Sequence, residues 1–279
     1  MEIDVTELGE LADPAERAQQ ASQRLAQYQA ISGELSRIRR EALEELIASG
    51  RTQTDLAAML GMTRARVGQL LSSGPKSERA FLGSGPLTIA IGGKQEANKR
   101  GSGRVLAQED LAAFNQMKEL ARTLGLDAQH EIVEPPGFIN LNRENLVVIC
   151  GPRLSPLISQ ILDSDRNLGF EQDEQGWYLV DRSLGTIHRS PMDSGESRDY
   201  AYIGRLPRID GRGTFLYIAG IHAVGAPGAV HFLENHLSEL YSEVRTKRFS
   251  MLVACDFDPK TLAVTASKRL SPIYRPEGG

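Results

Sequence analysis

Cysteine is nearly absent: the 279-residue chain has two, Cys150 and Cys255. Two thiols make neither the disulfide framework of a small secreted domain nor the cysteine cluster of a structural zinc site. Both lie in apolar runs, LVVIC and LVAC, and are expected as buried thiols in a reducing cytoplasm. Histidine is scarce too, at five. His231 and His236 stand five apart, off the i, i+4 spacing that lets H-E-x-x-H hold a metal, so no metal site is expected. No apolar run approaches the roughly 20 residues of a membrane span, and no signal-peptide pattern appears, so no membrane partner is expected. Walker A, G-x-G-x-x-G and G-x-S-x-G are all missing, so no cofactor is called for and no catalytic residue is assigned. Positive charge is not in excess either. The net charge of -4 argues against non-specific coating of nucleic acid.

The bases that exist are clustered. Residues 51–80 carry Arg51, Arg64, Arg66, Lys76 and Arg79 against Asp55 and Glu78, whereas residues 1–30 hold six acids and two arginines. A basic footprint on an acidic chain suits one DNA-reading module. Within it, QTDLAAMLGMTRARVGQLLS (residues 53–72) has helix-turn-helix spacing. Leu56, Ala57 and Leu60 share one face of a first helix. Gly61 stands where a tight turn needs positive φ, and Thr63 is placed to cap a second helix. Val67 and Leu70 turn that helix inward. Its outward Thr63, Arg64 and Gln69 are candidate base contacts, Arg64 to guanine and Gln69 to adenine. Arg51, Arg66 and Lys76 are candidates for phosphates. The alternative is a helix-turn-helix used only for protein contacts.

LGMTRARVGQLL resembles the recognition segment of bacterial sigma factor region 4 and of regulators that share it, over about thirty residues from Ala42 to Ser72. Sigma factors read T-R-E-R-[IV]-R-Q, where this chain has Ala65 and Gly68, and no core-polymerase-binding region is visible. The resemblance therefore implies a double-stranded-DNA-binding regulator rather than a sigma factor. Ahead of it, Asp13-Pro14 starts one long helix or two, with Ser32-Gly33 as the possible break. Tyr28, Ile31, Leu35, Ile38 and Ala42 form a seam suited to a short coiled coil in a homodimer, or to packing on the chain's own helix-turn-helix.

The organisation expected is an all-α helix-turn-helix module at 1–72, a linker at 73–85 bounded by Ser-Gly-Pro signals, and a domain at 86–279. There, apolar strands (Leu87 to Ile91, Leu146 to Cys150, Thr214 to Ala219, Phe249 to Cys255) alternate with helices from Gln108, Leu157 and Val230. A hairpin covers 177–190, with one of Trp177 and Tyr178 expected in the core and the other outward. This predicts a Rossmann-like α/β domain with a mostly parallel sheet. Ligands bind such sheets beyond the carboxyl ends of the strands. Two loops belong there: CGPRLSP, with Gly151, Arg153 and Ser155, and AGIHAVGAPGA, with Gly220, His222, Gly225 and Gly228. Free backbone N–H groups, a guanidinium and a hydroxyl suit a phosphate or carboxylate. Lys94, Asp199 and Arg205 are candidates to join them, and the polar loop from Pro191 to Arg198 is a candidate lid.

The texture of this domain resembles the Rossmann-like sensor and effector domains of bacterial nucleotide-signalling and defence systems, some of which bind nucleotides and some of which cleave NAD or glycosidic bonds. The expectation is a cytoplasmic, ligand-responsive transcription regulator sensing a small anionic or nucleotide-like ligand. Two alternatives stand beside it. One is an effector hydrolysing a nucleotide or NAD, with His222, Asp199, Glu234 and Ser155 as candidates; the other is a protein-interaction scaffold.

Overall fold

The computed structural model describes residues 8–73, 76–95, 104–134, 137–152 and 155–276. The chain forms two compact units, Met1–Arg79 and Ala80–Gly279.

In the first unit, α1 (Pro14–Ala48) is one helix of 35 residues, about 52 Å at 1.5 Å per residue. The Asp13 side chain accepts from Ala15 N at 2.9 Å and proline takes the first helical position. Ser32-Gly33 does not break it. A mid-helix glycine costs only about 1 kcal/mol, and side-chain bridges immediately follow: Arg37 to Glu34 and Glu41, and Arg40 to Glu44. Next come α2 (Gln53–Leu60) and α3 (Arg64–Ser73). Thr52 and Asp55 close a capping box ahead of α2, and Gly61 (φ +63) ends it in the left-handed region. Leu43, Leu56, Ala57 and Val67 form the buried core, flanked by Leu46, Met62, Leu70 and Leu71. Leu60 was expected inside but is 38% exposed. It is the last residue of a two-turn helix, where the chain already turns away.

The segment 73–85 contains the boundary between the units, but it is not all linker. Its helix α4 (Arg79–Leu82) places Ala80, Phe81 and Leu82 in the core of the second unit. The apolar triplet is what draws the chain in.

The second unit is built on β1 (Leu87–Gln95), β2 (Arg104–Leu106), α5 (Gln108–Thr123), β3 (Ala128–Val133), β4 (Leu146–Ile149), α6 (Pro156–Leu162), β5 (Leu168–Asp173), β6 (Gly176–Asp181), β7 (Thr186–Arg189), β8 (Arg198–Pro207), β9 (Thr214–Gly220), α7 (Gly225–Val244), β10 (Phe249–Phe257) and β11 (Val264–Arg269). Its large sheet runs β11-β10-β8-β9-β4-β1, and beyond β1 lie β3 along residues 87–92 and β2 along residues 93–95.

The sheet is mixed rather than mostly parallel. β3, β1, β4 and β9 run together, whereas β8 is antiparallel to β9 and β10, and β11 to β10. The reason is connection length. The links at 208–213 and 258–263 are hairpin turns, and a parallel return needs a crossover of about a dozen residues. α5 and α7 pack on one face against Ile89, Val147, Ile218 and Val253; α6 and the antiparallel β5-β6-β7 sheet cover the other, over Val148, Tyr217 and Tyr202. Double coverage explains why β4 is buried at every residue. No helix among the described residues is long and apolar enough to cross a membrane.

Candidate functional site

α3 turns two faces to different surroundings. Val67 is fully buried, while Thr63, Arg64, Arg66 and Gln69 are exposed. Thr63 Oγ1 accepts from Arg66 N at 3.2 Å, which makes it the helix cap. Arg66 Nη1 donates to Gln69 Oε1 at 2.6 Å, so these two candidates sit side by side. Arg51, just ahead of the Thr52 cap, and Lys76, after α3, are exposed as well. An exposed cationic and amide surface on the second helix can take phosphates and base edges alike.

The second unit has a shallow cleft, open to solvent, at the carboxyl ends of its parallel strands. β1 contributes Lys94, β4 leads into Cys150, Gly151 and Pro152, and β9 ends in Gly220, followed by Ile221 and His222. The first turn of α5 contributes Asp110, and the small sheet contributes Phe170 and Trp177. Tyr217, buried, anchors one wall by donating its hydroxyl to the Cys150 carbonyl at 2.8 Å. Lys94 is the one cation lining the cleft among the described residues.

His222 is held at two points. Its backbone N–H donates to Asp199 Oδ2 at 3.0 Å, and Nε2 lies 2.8 Å from Asp193 Oδ1. Asp193 belongs to the 3₁₀ turn Pro191–Ser194, so the expected lid segment meets the cleft through this pair. Asp199 is fully buried, and its Oδ1 has no hydrogen-bond partner among the described residues. Burial pushes its carboxyl up from the ordinary value of 3.8 against the hydrogen bonds that favour its charge. A carboxyl with a raised folded value favours the folded state most below 3.8, and that contribution is lost as pH rises through the raised value. Asp199→Asn removes this dependence while keeping an oxygen for His222 N–H. The stability of the variant relative to the parent should therefore increase from acid to neutral pH in thermal melts. A pH-independent difference would contradict the assignment.

The glycine loop is tighter than a ligand cradle requires. A Cβ on Gly220 would stand 2.2 Å from the His222 carbonyl oxygen and 2.6 Å from Gly225 Cα; one on Gly225 would stand 2.7 Å from Asp199 Oδ2. These two glycines let the loop close over β8. Gly228 does not line the cleft: α7 starts at Gly225, earlier than expected, and a Cβ on Gly228 would lie 2.2 Å from Cys255 Sγ. There glycine serves helix–sheet packing.

Arg205 is not at this site. β8 runs antiparallel, so Asp199 at its start lies at the cleft end, and Arg205, six residues on, lies about 20 Å away at the other end of the sheet. It is buried, donates Nη2 to the Phe81 carbonyl at 2.7 Å and stacks on the Phe81 ring. Ser155 is wholly buried and caps no N–H of α6; its Oγ has no partner among the described residues. Arg153 falls outside the described residues. Glu234 is exposed on α7 near Glu119 and lines no part of the cleft.

Neither Trp177 nor Tyr178 is a core residue. Both are half-buried; Trp177 lines the cleft, and Tyr178 stacks against Arg189. The thiols of Cys150 and Cys255 are both pushed up to about 12 by burial, with neighbouring carboxylates adding to it, so Cys150 in the cleft wall is no nucleophile. Asp110, Phe170 and Asp193 are not singled out from sequence, and Trp177 is read there only as a core or outward ring of the hairpin. Asp110 had a usable signal, an acid in the first turn of α5, the first helix after β1 and β2. The aromatics had none, because their sheet reaches the cleft only through the tertiary fold.

No protein-family model, curated protein or solved structure matches this chain.

Proposed function

We propose that this chain is a cytoplasmic, sequence-specific DNA-binding transcription regulator whose second, Rossmann-like unit senses a small anionic, nucleotide-like ligand. The observation that carries the reading is the division of α3, with Val67 buried in a capped helix-turn-helix core and Arg64, Arg66 and Gln69 exposed on its other side. A helix so mounted suits the major groove. The cleft lining combines the aromatic side chains of Trp177 and Phe170, which suit a base, with Lys94, whose charge suits a phosphate. Coupling then requires that the ligand bind one arrangement of the two units better than another.

The test is selection of genomic DNA fragments by the full-length protein beside an Arg64→Ala, Gln69→Ala variant. A sharp motif is expected for the parent, with affinity for it falling about 30-fold or more in the variant, at about 1–3 kcal/mol for each of the two lost base contacts. No enrichment, or salt-sensitive enrichment equal in both proteins, overturns the regulator.

One observation favours a second reading, hydrolysis of a nucleotide or NAD. The His222–Asp193 pair at the cleft has the form of an imidazole held by a carboxylate, as general base catalysis uses. Turnover of NAD or a nucleoside triphosphate that disappears in His222→Ala would replace sensing by catalysis. Saturable binding without turnover would retain sensing.

A further inference from the structure

Besides Leu25 and Ile47, four large apolar side chains on α1 remain exposed: Tyr28 at 43%, Ile31 at 54%, Leu35 at 61% and Ile38 at 48%. They recur at spacings of three and four, and Ala42 continues the row. The core of their own unit does not use them, since it draws on Leu43 and Leu46 from another face of the same helix. Apolar rows of this kind on a long helix are covered in solution by a partner of like pattern.

The charges beside the row say which partner and in which direction. With Tyr28, Leu35 and Ala42 as one set of core positions and Ile31 and Ile38 as the other, Glu34 and Glu41 lie on one flank and Arg39 on the opposite flank. In a parallel, in-register pair, a residue on the first flank meets the residue five positions later on the partner helix. Glu34 then meets Arg39 of the second copy, twice by symmetry. In an antiparallel pair the flank carrying Glu34 and Glu41 meets itself, and like charges oppose. Glu34 already holds Arg37 in its own helix, yet a carboxylate has lone pairs for a further donor. Arg24 and Glu45 occupy the core positions just beyond each end of the row, which limits the seam to residues 28–42.

We propose that α1 pairs with α1 of a second copy of this chain as a parallel, in-register two-stranded coil through Tyr28, Ile31, Leu35, Ile38 and Ala42, with Glu34 facing Arg39 across the seam. A parallel pair brings both copies of α2 and α3 to the same end of the coil, related by its two-fold axis. That arrangement reads an inverted repeat.

Sedimentation equilibrium of the full-length protein without DNA tests this, so its failure and a failure of DNA reading are separable. The parent should dimerise. Leu35→Glu, at an exposed position that leaves the monomer fold intact by circular dichroism, should weaken dimerisation at least about tenfold. Glu34→Lys and Arg39→Glu should each weaken self-association, and a mixture of the two should form a heterodimer tighter than either homodimer, because both cross-seam pairs become opposite in charge. A monomeric parent overturns the proposal, as does a dimer indifferent to Leu35→Glu. A mixture with no preference for the heterodimer overturns the parallel register.

Discussion

Replacing Val67 by aspartate is expected to unfold the helix-turn-helix and leave the α/β unit standing. Val67 is fully buried and, among the described residues, packs in one apolar cluster with the buried Leu43, Leu56 and Ala57. An aspartate there loses the packing of an aliphatic side chain and puts a carboxylate among the apolar side chains of that cluster. Burying an unpaired charge belongs to the class of substitutions costing about 4–5 kcal/mol or more. That is close to the whole stability a small core supplies. The second unit has its own core on both faces of a separate sheet. Calorimetry should therefore lose one transition and keep the other, and DNA selection should fail altogether. A variant that keeps both transitions would show that the Val67 cluster is not what holds α3 in place.

Replacing Gly220 by alanine is expected to destabilise the α/β unit, although it adds only a methyl group. The new Cβ would stand 2.2 Å from the carbonyl oxygen of His222 and 2.6 Å from Gly225 Cα. Both obstacles are backbone, so no rotamer change relieves them and the loop itself must move. Overpacking of this kind costs roughly 3 kcal/mol or more, which for a unit of this size corresponds to a fall of about 6–12 °C in Tm. The displaced loop carries His222 and its hydrogen bond to Asp199, so ligand affinity should fall in parallel. The control is Gly185→Ala in the β6–β7 turn. No atom lies within 4 Å of its would-be Cβ, and only the cost of positive φ applies. Equal effects at both positions would mean that the close crossing is not the cause.

Local patterns carried the helical unit. The turn glycine, the threonine cap and the inward Val67 stand where the 53–72 spacing put them, because a helix-turn-helix is a short-range object whose constraints lie within twenty residues. α1 was legible from its Asp13-Pro14 start, but its continuity past Gly33 depended on the ion pairs of Arg37 and Arg40, which a helix-breaker rule does not weigh. In the second unit, the strands buried on both faces were visible as apolar runs. β3 (AQHEIV) and β11 (VTASKR) were not, since an edge strand exposed on one side has no such run. Strand direction was the larger error, and it moved Arg205 to the wrong end of the sheet. Direction depends on which strands are joined by hairpins, which the composition of a strand does not record. Lys94, Gly151, Gly220 and His222 were found because strand ends followed by glycine define the rim of such a sheet. Trp177 and Phe170 reach that rim from an inserted sheet, and only the packing of that sheet on Tyr202 explains how.

The outermost strand on one side of the large sheet, β11, is six residues long and ends in the exposed pair Lys268 and Arg269, with Pro272 three residues further on. An open strand edge is a template on which another chain can add its backbone, and short length and cations are the features that blunt it. On the other side β3 carries Glu131 bound to Arg143. An incoming strand meets charge at both borders rather than a flat apolar ribbon. Polymerisation through shared ladders is therefore disfavoured at these two borders, and with it growth into amyloid-like sheets, even after the helical unit has melted.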